Sequence, residues 1–155
     1  MKWKLPPKIK IYEALGTLAD GRIEMHGDSA KVYSSSKNKF YTVMFDPVSK
    51  AIMANDNSSF WQGYLGYPAI AYLMKIGIIA YDKKHSGVLK NIRWKDVNTK
   101  FKNYFDKTIA YVHELLKTRG VDIPKFEKEI ENILGQIKRL NLSLLGSKTK
   151  PPAGY

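Results

Sequence analysis

The chain has no cysteine. That excludes a disulfide framework, cysteine-ligated zinc and a thiol nucleophile, and with them the small secreted scaffolds held by crosslinks. Acidic residues are scarce: 14 Asp and Glu stand against 26 Lys and Arg, a formal net charge of +12. Such a chain repels itself and attracts polyanions. Also missing is an unbroken run of about 20 apolar residues, the length a membrane-spanning helix needs. The nearest candidate, "FWQGYLGYPAIAYLMKIGIIAY" from Phe60 to Tyr81, is interrupted by Gly63, Gly66 and Pro68 and carries Lys75. The opening "MKWKLPPKIK" has charge with no apolar run behind it, unlike a secretory signal. The expectation is a cytoplasmic protein with no membrane partner.

What is present suffices for one folded unit: 155 residues, 44% of them hydrophobic, close a core of ordinary size. The segment "KIKIYEALGTLADG" spaces Ile9, Tyr12, Leu15 and Leu18 or Ala19 for a short amphipathic helix, with Gly21 as its stop. From Arg22 to Ala54 the period shortens. "RIEMH", "AKVYSS", "KFYTVMFD" and "KAIMA" are separated by turn residues and predict a three- or four-stranded antiparallel meander. The run Pro68–Ala80 is apolar nearly all round, which predicts a buried central helix, with Pro68 in its first turn and a glycine-aromatic loop leading in. Asp96 is placed to cap a long helix to Arg119, ended by Gly120. A second long helix from about Pro124 to Leu145 follows, packed antiparallel on the first.

The expected fold class is therefore α+β: mainly a helical bundle with an inserted small antiparallel β-meander. Within one domain, residues 8–21 and 66–146 form the bundle, 22–56 the insertion and 147–155 a disordered tail. Tyr33, Tyr41 and Phe45 of the meander are candidates for a protein contact, since a small bundle cannot cover them all.

Catalytic machinery is not visible. His26, His85 and His113 fall in separate elements with no second ligand at helical spacing, so no metal site is expected. Asp28, Asp46 and Asp56 sit where turns favour Asp. Glu127, Glu129 and Glu131 near the start of the last helix suit its dipole, with Lys125 and Lys128 as partners. "GYLG" at Gly63–Gly66 matches the loop that clamps nucleic acid in KH domains, without the two flanking helices such a loop joins. No cofactor and no catalytic residue is expected.

The positive charge is uneven. Residues 82–107 hold eight bases and three acids, whereas residues 108–147 hold six bases and five acids. Lys83, Lys84, Lys90, Arg93, Lys95, Lys100, Lys102 and Lys107, with Trp94 among them, make a candidate nucleic-acid-binding band, because phosphates need cations and unpaired bases need aromatic faces. A solvated helix face is the plainer account of the same charges.

The order of elements, "IYEALGTLADG" running into a β insertion, then "GYPAIAYLMKIG" and a helical hairpin, in a small basic cysteine-free chain, resembles the small subunit of archaeal type I-A CRISPR interference complexes. The likeness covers about Lys8 to Leu145 and carries no diagnostic motif. It implies a non-enzymatic subunit of a surveillance ribonucleoprotein in antiviral defence that helps hold crRNA or single-stranded or duplex target DNA, with other subunits as partners and self-association along the strand. Two other classes stay open: a free-standing nucleic-acid-binding protein, and a small-molecule binder or enzyme with a pocket near residues 55–67, under "NDNSSFWQGYLGY".

Overall fold

The computed structural model describes residues 1–153. The chain is α+β, with α1 (Ile9–Ala19), β1 (Ile23–His26), β2 (Ser29–Tyr33), β3 (Phe40–Asp46), β4 (Ala51–Ala54), a short π-helix (Ser58–Gln62), α2 (Tyr67–Lys75), α3 (Lys83–Gly87), α4 (Trp94–Lys100), α5 (Phe105–Thr118), α6 (Ile123–Leu140) and β5 (Ser143–Leu144). Four strands form the antiparallel meander in the order of the chain. The fifth, unforeseen, pairs parallel with β4. Alternation along β2 and β3 turns Ala30, Val32, Tyr41, Val43 and Phe45 inward, where α2 packs across them. Tyr41 and Phe45 are thus core residues and not a partner surface. Their rings meet Tyr67 and Tyr72 of α2 edge-on at centroid distances of 6.3 and 6.2 Å.

Helix α1 is not a surface helix. Every residue from Ile9 to Thr17 is buried, because α2, α3, α5 and α6 all pack on it. Helix α2 is central as expected, with Ile70 and Leu73 fully buried, but it stops at Lys75. Gly77 takes φ +83°, and Ile76 and Ile78 come out to solvent.

The long helix from Asp96 to Arg119 is two helices. Lys102 and Asn103 both adopt left-handed backbone, φ +52° and +60°, and Tyr104 is extended. Two such residues in succession cannot continue a right-handed helix. Asp96 lies inside the first turn of α4, whose cap position is Arg93. Helix α6 ends at Leu140, five residues before the expected end, because Asn141 turns left-handed and releases the chain to β5. Asp122 caps α6 by accepting from Lys125 N at 3.2 Å. The ion pairs expected between the early α6 glutamates and neighbouring lysines do not form: Glu131 pairs with Lys8, and Glu129 accepts from Asp82 N.

The N-terminal residues are built in. Trp3 is buried and its indole Nε1 donates to the Ile52 carbonyl at 2.9 Å. Beyond Gly146, residues 147–153 hold no helix or strand, and Lys148 Nζ donates to the Phe60 carbonyl at 3.2 Å. The last two residues of the expected disordered tail, 154–155, lie outside the described residues. None of the described helices is long and apolar enough to cross a membrane.

Candidate functional site

Two concavities flank α4, and its 3.6-residue period divides its side chains between them. Arg93, Asp96, Val97 and Lys100 line one, with Asn91, Ile92, Tyr111 and Leu115. Trp94, Lys95, Asn98 and Thr99 line the other. The segment leading into the helix is held by polar contacts. Asn91 N donates to Asp20 Oδ1 at 2.7 Å, and Arg119 Nη1 donates to the carbonyls of Val88 and Lys90 at 2.6 and 3.1 Å.

The first concavity is an open groove of about 350 Å³ within the basic band. All eight cations, Lys83, Lys84, Lys90, Arg93, Lys95, Lys100, Lys102 and Lys107, are exposed. Arg93 pairs loosely with Asp96 at 3.8 Å. Trp94 departs from the expectation: it is 3% exposed, with its indole edge packed where a side chain on Gly16 would sit. The aromatics of this face are instead Tyr104 and Tyr111, 62% and 41% exposed. Lys100 Nζ lies 5.4 Å from the Phe101 ring centre and 5.1 Å from that of Tyr111, and Lys107 lies 5.2 Å from Tyr104, all within cation–π range.

The second concavity is a polar cavity of about 210 Å³. Lys10 and Glu13, three apart on α1, share one helix face and pair at 3.1 Å. Glu13 also accepts from Asn98 Nδ2 at 2.7 Å. Burial by itself would lower the Lys10 pKa, but the charges of Glu13, Tyr64 and Asp56 and the hydrogen bond to Glu13 outweigh it and hold the ammonium above its ordinary value. Arg22, just past α1, is 3% exposed and donates from Nη1 to the Tyr33 carbonyl at 2.7 Å. Tyr41, Tyr67 and Ser34 add to the wall.

Asp56 closes the cavity at the start of the π-helix. It sits at a bend, as expected, but is 4% exposed. Its carboxylate accepts from Ser59 Oγ at 2.6 Å and Ser59 N at 3.2 Å, and Ser59 Oγ in turn accepts from Gly66 N at 3.2 Å. Burial pushes the Asp56 pKa up, against the lowering effect of those bonds and of Lys10. Gly66 is required here, since a Cβ on it would lie 2.0 Å from Asp56 Oδ2. The "GYLG" loop therefore serves this packing: Gly63 caps the π-helix in left-handed backbone and Gly66 begins α2.

Sequence reasoning placed a pocket near residues 55–67 among its alternatives without naming Lys10, Glu13, Arg22, Asn98 or Asn103. The available signal was Lys10 and Glu13 on one face of a helix otherwise apolar. It is readable only once α1 is known to be buried all round.

The histidines stay apart: His26 beside Glu24 at 2.7 Å, His85 facing Glu129 at 3.9 Å, and His113 Nε2 sharing a 2.7 Å hydrogen bond with the Tyr12 hydroxyl. Among the described residues, no cluster of three or more His, Asp or Glu side chains has metal-binding geometry.

A family model described as uncharacterised conserved protein UCP014422 matches residues 3–143. No curated protein and no solved structure matches the chain.

Proposed function

The chain belongs to the UCP014422 family, and we propose that it is a non-catalytic protein that associates with single-stranded nucleic acid through the exposed face of α3, α4 and the start of α5. The observation that carries this is the groove beside α4, where exposed Tyr111 stands with Lys100 over its ring and Arg93 on the rim. A cation beside an exposed aromatic face supplies the two things an unpaired nucleotide offers contacts for, a phosphate and a base plane. The remaining cations of the stretch from Lys83 to Lys107 are exposed as well, with Lys95 on the opposite side of α4. Tyr111 and Tyr104 take the stacking role first given to Trp94.

The surveillance-complex role implied by the resemblance is the setting in which a short track of this kind would act, adding its contacts to those of neighbouring subunits. Retrieval of the protein from its native host together with RNA and partner subunits supports that setting. Recovery free of both removes it without touching the groove.

The groove itself is tested with a fluorescent single-stranded oligonucleotide. Tyr111→Ala is expected to weaken binding by the ~1–3 kcal/mol that a stacked base contributes, while leaving the salt dependence unchanged. Lys100→Gln is expected to lower the salt dependence as well. Unchanged affinity in Tyr111→Ala would remove the groove from the interface.

A further inference from the structure

The groove beside α4 contains one group that a track for phosphates would be better without. Asp96 is the one acidic side chain among the described residues that line it, in company with Arg93 and Lys100. A carboxylate there repels every phosphate that the cations attract. Its side chain is 68% exposed, and Arg93, 3.8 Å away, stands beyond hydrogen-bond reach, so the carboxylate oxygens are open to a ligand.

What such a group can take from a nucleotide is the donor edge of a base. Unstacked bases present their Watson–Crick edges to protein side chains, and those edges differ in what they offer an acceptor. Guanine offers two adjacent donors, N1–H and the 2-amino group, spaced for the two oxygens of one carboxylate. Adenine and cytosine each offer one amino group beside a ring nitrogen that is itself an acceptor, and thymine or uracil one N–H between two carbonyls. Facing a carboxylate, those acceptors are repulsive.

The placement of Asp96 suits this task. Asp96 and Lys100 are four residues apart on α4, hence neighbours on one face with ~5–6 Å between their Cβ atoms. Lys100 Nζ in turn lies 5.1 Å from the Tyr111 ring centre, and Tyr111 is 41% exposed. A base stacked on Tyr111 therefore has Asp96 within reach of its edge. Ile92, Val97 and Leu115 add apolar wall, beside which a hydrogen bond meets less competition from water than on an open helix face. We propose, resting on the nucleic-acid reading of this groove, that Asp96 makes it selective for guanine: the base stacks on Tyr111, and its N1–H and 2-amino group donate to the two oxygens of Asp96. The surrounding cations set how tightly a strand is held, and Asp96 sets which base the groove prefers.

The test uses the full chain and fluorescent pentadeoxynucleotides with thymine at the outer positions and guanine, hypoxanthine, adenine, cytosine or thymine at the centre, followed by anisotropy at low salt. Guanine is expected to bind about 5- to 10-fold more tightly than adenine, cytosine or thymine, the lower end of what a two-pronged base contact contributes. Hypoxanthine, which keeps N1–H and lacks the amino group, is expected to fall between. Asp96→Asn, isosteric and uncharged, is expected to erase the preference and to tighten binding of the all-thymine strand. A role confined to the first turn of α4 would instead lower the stability of that variant and leave the order of the bases unchanged.

Equal affinity for the guanine and adenine strands, with binding still weakened by Tyr111→Ala, would overturn the selectivity and leave the groove as the interface. An undiminished guanine preference in Asp96→Asn would do the same. Strands that bind regardless of Tyr111→Ala, or that do not bind at all, would overturn the groove as the interface and the selectivity with it.

Discussion

Gly66 and Asp56 show how a single backbone position sets the chemistry beside it. The carboxylate occupies the space a Cβ would need, so Gly66→Ala must displace a buried, hydrogen-bonded acid. The expected loss is about 1–3 kcal/mol, the usual cost of overpacking, seen as a lower urea midpoint at unchanged slope. His113 gives a second residue-level consequence. Burial, with a smaller contribution from Lys117, holds its imidazole below the ordinary pKa against the opposing pull of Glu127 and Glu114. The unfolded state, titrating near ~6.5, therefore binds more protons as pH falls through that value, and the stability that neutral His113 contributes is complete above it and lost below. The destabilisation caused by His113→Gln should accordingly be larger at pH 7.5 than at pH 5.5 in paired thermal melts; a penalty independent of pH would contradict the assignment. Neither residue could be read in full from the chain. Asp56 looks like a turn residue because its neighbours are Asn and Ser, and its burial comes from α1 and α2 closing over it.

At the scale of elements, local signals were readable and distant ones were not. The stops at Gly21 and Gly120 take left-handed φ, and Pro68 lies in the first turn of α2, as their residue types dictate. Ile70 and Leu73 were placed in the core from apolar pattern alone, and Ile70→Ala should cost about 2–5 kcal/mol as a fully buried truncation. By contrast, β5 is two residues long and exists only because β4 offers a free edge, so no periodicity announces it. The break between α4 and α5 was hidden because "KFKNYF" contains neither Gly nor Pro; Asn103, which tolerates left-handed backbone, was its only local sign. Lys102 pays for that conformation with steric strain. Replacing it by glycine should therefore leave stability unchanged or raise it by up to ~1 kcal/mol, whereas glycine in the middle of α5, at Ala110, should lower it by a similar amount. A loss at position 102 as large as that at 110 would mean the break is not where the chain turns.

Over the whole molecule, the excess of 26 bases over 14 acids was legible at once and its location nearly so. Counting charge along the chain found the exposed band. It could not tell that Trp94 turns inward, or that α4 has a polar cavity on its other side, because both depend on α1 lying beneath it. The central claim is that phosphate contacts concentrate on α3–α5 and not on α6. It is tested most directly by measuring single-strand affinity across a salt series for two variants of equal charge loss, Lys84, Arg93, Lys100 and Lys102 all changed to Gln, and Lys125, Lys128, Lys138 and Arg139 all changed to Gln. Each phosphate contact removed lowers the slope of log affinity against log salt by about 0.7 for a single strand. The expected result is a flattened slope and weakened binding in the first variant with the second close to the parent; equal losses in both, or none in the first, would contradict it.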